Sequence, residues 1–405
     1  MTCVIAGGGP AGAMLALLLA RAGVPVTLLE KHADFLRDFR GDTIHPSTLR
    51  VLDELGLAGE LLKLPHRKVR DLGLRTDQGT IRLASLRRLP PPYDYIAFVP
   101  QWDFLNIVTS AAARYPGFRL LMRAEAYDLI REGGAVRGLR YRDDSGEHEL
   151  RADLTVAADG RHSALRRRAG LAPKELGAPM DVVWFRLPFA DGDPEDTFLR
   201  VSPGHMMVGI NRVDYWQLAY LIPKGGYDRL TAAGIEALRR PVARLLPFLA
   251  GRVGQLQGYD DVSVLTVAVD RLRRWHRPGF LCIGDAAHAM SPVFGVGINL
   301  AVQDAVATAN LLAAPLRAGA PIPESLLHRL QRRRMPATVI TQTAQRVAQR
   351  LLIRRALGGR FDASALPRDV TRVPLLNRLA PRLVGMGVRP EHVETPEVAP
   401  APGER

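Results

Sequence analysis

Residues 2–30 read TCVIAGGGPAGAMLALLLARAGVPVTLLE. Residues 2–6 form a β-type apolar run. The glycine-rich segment 7–12 follows, then an Ala/Leu-rich helix to Ala22, a break at Gly23, and a second strand over 24–29 that ends in Glu30. This is a complete βαβ unit. Gly7 permits the tight turn, Gly9 lets backbone approach a pyrophosphate, and Gly12 lets helix and strand pack closely. Glu30 stands where an acid can bind ribose hydroxyls. A Gly-x-Gly-x-x-Gly run alone says little. With a strand before it, a helix after it and an acid at the right distance, it predicts dinucleotide binding on a Rossmann-like α/β layer.

Two further strand ends carry turns of the same kind. Residues 281–299, LCIGDAAHAMSPVFGVGIN, read as a short apolar strand, then Gly284-Asp285, then a glycine-rich turn feeding a helix from about Asn299 to Leu312. A carboxylate leaving a strand end can hold a hydroxyl-rich ligand. The backbone N–H groups of the turn and helix start suit negative charge. The strand over 154–158 ends in Asp159-Gly160-Arg161-His162-Ser163. Between these motifs, residues 181–187, 197–201, 205–211 and 215–222 are strand-like runs separated by Gly, Pro and Asp. They predict a separate antiparallel sheet inserted into the α/β body.

At 405 residues the chain can bury a large core, and 47% hydrophobic with 24% charged residues is ordinary for a globular protein. Cys3 and Cys282 lie in apolar runs and read as buried small hydrophobes, which fits a reducing compartment. No secretory signal is expected, because residues 7–12 stand where a basic segment should precede the apolar run. No apolar stretch is read as a membrane span. A cytoplasmic location is therefore expected. The net charge of +14 is mostly arginine, scattered without aromatic interleaving, so it is read as solvated arginine and not as nucleic-acid binding. Five scattered histidines (45, 66, 162, 205 and 288) make no metal-ligand spacing, and no metal is expected.

The segments GGGPAG, AADGRHSALR and GDAAHAMSPVFGVGINLAVQDA, in that order, resemble the class A flavin-dependent monooxygenases, the family of p-hydroxybenzoate hydroxylase and the polyketide aromatic hydroxylases. The resemblance covers roughly residues 2–312. It implies FAD as cofactor, with NADH or NADPH and O₂ as co-substrates. By it, Gly7, Gly9 and Gly12 hold the FAD pyrophosphate and Glu30 the adenosine ribose. Arg40 matches an arginine near the phosphates. Gln101 takes the place of a residue on the ribityl or phosphate side, where many relatives have Arg. Asp159 begins a motif linked to FAD and nicotinamide-nucleotide binding. Asp285, after Gly284, binds the ribityl chain. Gly295, Val296, Gly297, Ile298 and Asn299 set backbone N–H groups and a helix start near flavin N1 and O2, where reduced flavin is negative. Pro292, with no N–H to compete, shapes the wall where oxygen meets C4a. The implied reaction passes through a flavin C4a-hydroperoxide to an electron-rich substrate.

The implied division is an FAD-binding domain of residues 1–70, 98–178 and 270–315, a substrate-binding sheet of 71–97 and 179–269, a helical region over 316–389, and a flexible tail over 390–405 that is rich in Pro and Glu. Alternation places Trp184 and Arg186 on one face of a strand, and His205 and Met207 on one face of another. These four with Tyr220 are candidates for the substrate wall, His205 also for an acid/base role. An arginine that relatives use for small carboxylated phenols is not reproduced near Gly209 and Asn211. The expected substrate is therefore a larger aromatic, polyketide-like or quinone-like molecule. A flavin-dependent reductase or dehydrogenase on the same fold is the alternative. A halogenase is disfavoured because Trp-x-Trp-x-Ile-Pro is absent. A non-enzymatic, basic surface-binding protein is the remaining class. Peripheral membrane contact through the Arg, Leu and Ile of residues 345–355 is kept open but not favoured.

Overall fold

The computed structural model describes residues 1–36, 42–365, 369–372 and 374–399. A six-stranded sheet forms one layer. Its order is His276–Arg277, Phe280–Cys282, Leu154–Ala157, Cys3–Ala6, Val26–Leu29, Phe118–Leu121. All neighbours are parallel except the first pair. Strands Cys3–Ala6, Leu154–Ala157 and Phe280–Cys282 are buried at every residue. That is why they read as unbroken apolar runs and not as alternating ones. Helix Pro10–Arg21 is buried from Ala11 to Ala20 and packs against helix Gly297–Arg317.

Helix Gly297–Arg317 is long and apolar enough to cross a membrane, but 83% of its apolar stretch is buried inside the protein, as in a core helix. It runs past the expected Leu312. Leu316 is fully buried, and its burial offsets the amide hydrogen bond that Pro315 lacks. The strand order has one functional consequence. The three central strands end side by side, so Gly7, Asp159 and Gly284 emerge together at the carboxyl edge of the sheet.

The second layer is a seven-stranded sheet ordered Ser263–Leu265, Met180–Pro188, Tyr215–Pro223, His205–Asn211, Phe198–Ser202, Asp71–Thr76, Gly79–Ser85. It is antiparallel except where Phe198–Ser202 meets Asp71–Thr76. One face packs on helix Glu236–Leu245 through Leu238, Val242 and Leu245. Trp216 anchors this face, with its ring against Phe198 and Phe248 and its Nε1–H donated to Asp193 at 2.9 Å.

The Arg-rich helix Glu324–Ala348 passes through a π-helical turn, Gln349–Ile353, into the short helix Arg354–Leu357. The described part of the expected flexible tail, residues 390–399, is instead held down. The Glu391 carboxylate is buried and accepts from Arg333 and Arg334. Arg21 donates to the Thr395 carbonyl at 2.8 Å and accepts from the Val398 amide at 2.9 Å. Composition pointed to fraying because it counts exposed charge. Here the carboxylate finds a buried guanidinium, and that contact outweighs the chain entropy.

Candidate active site

Gly7 has φ +104°, and a Cβ there would lie 2.3 Å from the Ala158 carbonyl oxygen. A Cβ on Gly12 would lie 2.0 Å from the Gly7 carbonyl oxygen. Both glycines are demanded by packing of the turn against its neighbours. Gly9 differs: nothing stands within 4 Å of its added Cβ. Helix Pro10–Arg21 starts just beyond it, with no side-chain cap and no acid in its first turn. Open space beside Gly9 and an uncapped helix start form an arrangement suited to a phosphate. Glu30 closes the neighbouring strand end, accepting from the amides of Gly8 at 3.0 Å and His32 at 3.1 Å.

Asp285 sits on the third strand end, partly exposed, with Arg161 Nη2 at 3.4 Å from its Oδ2. Asp159 accepts from the Leu165 amide through Oδ2, while its Oδ1 is buried without a partner. Burial holds its carboxyl above the usual range, against several local hydrogen bonds. The Glu30, Asp159 and Asp285 carboxylates and the uncapped helix start thus lie along one edge, an acceptor-and-amide set that fits a ligand with hydroxyls and phosphates. Arg40 lies outside the described residues.

The loop from Pro292 to Asn299 is shaped from below. Gly295 has φ +62° and would place a Cβ 2.4 Å from Thr43 Oγ1, which instead donates to the Gly295 carbonyl at 2.7 Å. Val296 is buried, and helix Gly297–Arg317 starts without a side-chain cap. Ile298 is buried. Asn299 accepts from Thr48 Oγ1 at 2.6 Å and the His45 amide at 3.2 Å, and its Nδ2 is buried without a partner. Pro292 is exposed and takes the Gly295 amide on its carbonyl at 3.0 Å.

Three glutamines hold the loop from behind. Gln342 Nε2 donates to the carbonyls of Asp270 and Ala289, Gln345 Nε2 to those of Ser291 and Val293, and Gln349 Nε2 to Ser291 Oγ. Their spacing of three and four residues puts them on one helix face. That spacing is visible in the sequence, but Gln is a common surface residue, so the pattern alone assigns these three no buried role. A second support is a buried charge network. Asp304 accepts from the Gly284 amide at 3.2 Å, from His288 Nε2 at 2.6 Å and from Arg334 Nε at 3.0 Å, and Arg334 reaches Glu391. Burial pushes the Asp304 carboxyl up, but His288 and Arg334 together hold it below its ordinary value.

On the inserted sheet, the register decides which candidates meet this loop. Trp184 pairs with Ala219, and Ala219 with Val208. These residues share an apolar cluster with Val293 of the loop and with Leu352 and Ile353. Met207 and Tyr220 pair on the opposite face and pack with helix Glu236–Leu245. His205 Nδ1 lies 2.6 Å from the Tyr220 hydroxyl on that same side. Burial lowers the His205 pKa, with help from Arg244, and raises the Tyr220 hydroxyl to about 12. Of the five candidates for the substrate wall, His205, Met207 and Tyr220 therefore lie on the side that packs against helix Glu236–Leu245, away from the loop. Alternation gave the right partition of residues, but the sheet presents its other face to the loop.

Arg186 shares the Trp184 side and lies over the Tyr215 ring, 4.9 Å from its centroid. Gln217, opposite Arg186, accepts from Arg212 Nε at 3.0 Å, and Arg212 pairs with buried Asp42. Asp42 also takes the amide of Gln101, the first residue of helix Gln101–Ala113, at 3.3 Å. An apolar sheet face with this polar end sits beside the loop.

A family model described as an FAD binding domain matches residues 1–346. The 6-methylpretetramide 4-monooxygenase of Streptomyces rimosus is 32% identical over 386 residues, 94% of this chain and 91% of that protein. Two solved structures share the fold. Anhydrotetracycline hydroxylase OxyS of Streptomyces rimosus superposes with a TM-score of 0.77 at 24% identity, covering 100% of this chain and 78% of that one. PqsL of P. aeruginosa, in complex with 2-aminobenzoylacetate, gives 0.76 at 24% identity, covering 89% of this chain and 98% of that one.

Proposed function

The chain belongs to the FAD-binding family of flavoprotein monooxygenases, and on that premise we propose that it hydroxylates a polycyclic aromatic, polyketide-like or quinone-like molecule at the expense of NADH or NADPH and O₂. The carrying observation is the apolar face of Trp184, Val208 and Ala219, which meets Val293 of the Pro292–Asn299 loop. A flat apolar molecule laid on that face lies against the loop. The 6-methylpretetramide 4-monooxygenase, similar along nearly the whole chain, supports a substrate of the polyketide kind.

In this reading the open space at Gly9 and the uncapped start of helix Pro10–Arg21 would take the FAD pyrophosphate, and Glu30 the adenosine ribose. Asp285 takes the ribityl hydroxyls once Arg161 yields it. The amides of residues 296–299 and the helix start behind them would stabilise negative charge on the bound flavin through the positive end of the helix. Asp159 borders the same edge. Bound FAD, reduced by the nicotinamide, supplies the two electrons with which one atom of O₂ enters the product and the other leaves as water. The protein's share is to bind, orient and exclude water. Trp184 and its neighbours present the substrate. Pro292 offers no N–H at the reacting edge. Gln342, Gln345 and Gln349 fix the loop so that its amides stay aimed.

The test is turnover under ¹⁸O₂ with a panel of polycyclic phenols and quinones. Substrate-stimulated NAD(P)H oxidation with one labelled oxygen in the product is expected. Equal conversion without oxygen, giving a reduced unlabelled product, would establish the reductase alternative instead.

A further inference from the structure

The helix that carries the three glutamines has an outer face as distinct as its inner one. Pro336, Ile340, Thr343, Val347 and Leu351 fall at steps of three and four residues, so they form one stripe, and all are exposed. Ile340 is 45% exposed, Val347 49% and Leu351 58%, a concentration of bare aliphatic side chains on a single helix. Beyond Glu324 the charge along this helix has one sign. Between Glu324 and Asp362 the sequence holds nine arginines and no acid. Arg333 and Arg334 turn inward onto Glu391. None of the other seven makes an ion pair among the described residues. Arg329 and Arg332 flank the stripe at one end, Arg350 and Arg354 at the other, all exposed.

We propose that this face docks on an anionic lipid membrane. Ile340, Val347 and Leu351 enter the headgroup layer, and the flanking arginines meet lipid phosphates while their stems lie along apolar surface. The observations select this partner over others. A second copy of the chain would set arginine ends against arginine ends on top of a net charge of +14. A nucleic acid would gain nothing from three aliphatic side chains in the middle of the stripe. The location also carries meaning, in a clause that rests on the function proposed above. Leu351 faces out, while the adjacent Leu352 and Ile353 pack with Val293 and the Trp184 face. Docking would bring the apolar Trp184 face beside the loop close to the lipid, where a flat apolar substrate concentrates.

The experiment is flotation of the FAD-loaded full chain with phosphatidylcholine vesicles, with and without about one-third phosphatidylglycerol. Association with the anionic vesicles at least about tenfold tighter than with the neutral ones, weakened by salt, is expected. Arg350→Glu/Arg354→Glu should abolish it and Val347→Ser/Leu351→Ser should weaken it, with flavin content and melting temperature unchanged. No association with anionic vesicles, or association that both variants retain, would overturn the proposal. So would a concentration-dependent dimer that Val347→Asp dissociates. The readout needs no turnover, so its failure is separate from failure of the hydroxylase reading.

Discussion

Asp285 is one carboxylate with two claimants. Arg161 holds it at 3.4 Å, and only part of it is exposed, so its charge is neither fully solvated nor tightly paired. Such a group can trade one partner for another at small cost. Asp285→Ala should weaken FAD by roughly 1.5–3 kcal/mol, the loss of one charge-assisted hydrogen bond, measured by titrating the apoprotein with FAD. Unchanged affinity would remove Asp285 from the site. Trp184 and His205 give a paired prediction, because both are candidates from one sheet but sit on opposite faces. Trp184→Ala should raise the KM for substrate about tenfold or more, through lost apolar contact. His205→Ala should leave KM and the coupling of NAD(P)H oxidation to hydroxylation unchanged. Steady-state kinetics with product quantification separates the two, and the opposite pattern would mean the sheet works through its other face. Here the sequence was half legible. A period of two tells which side chains share a face, but a strand's own pattern does not say which face will meet a loop roughly a hundred residues further along.

The elements that carry the loop were legible in part for a different reason. Strand, glycine turn and helix start are contiguous in 281–299, so one reading recovers all three. Two of their supports come from remote elements: Thr43 and Gln345 each act across a distance in sequence that no local pattern encodes. His45 shows what such a support implies for pH. It precedes helix Pro46–Glu54, is fully buried, and binds the Val384 carbonyl through Nδ1 at 2.7 Å. Burial lowers its pKa to about 4, against the carbonyl bond that raises it. The unfolded chain therefore takes up a proton near pH 6.5, before the folded chain does. Stability is complete above pH 6.5 and falls as the pH drops toward 4, by up to about 3 kcal/mol from this group. Melting temperature followed across that window should fall less in His45→Asn than in the parent, and parallel curves would show that His45 does not titrate as its burial requires.

At the scale of the whole molecule, the fold and the cofactor edge could be read because three motif turns stand at three strand ends. The fastening of residues 390–399 could not be read, because its partners are a guanidinium on helix Glu324–Ala348 and the end of helix Pro10–Arg21. Glu391→Ala leaves Arg334 with Asp304 as its remaining carboxylate, and should cost about 3 kcal/mol or more. Because Asp304 also holds the Gly284 amide, the variant should lose FAD as well as melting temperature, whereas Glu391→Gln should restore part of both. A variant that melts early but keeps full FAD affinity would confine Glu391 to the periphery. The same fastening orders events during synthesis. The phosphate-binding turn leaves the ribosome first, but the carboxylate that steadies the Gly284 turn through Arg334 and Asp304 follows several hundred residues later. A ribosome-tethered chain stopped just short of Glu391 therefore holds every cofactor motif yet grips the flavin loosely, and the holoenzyme is completed only once Glu391 has emerged.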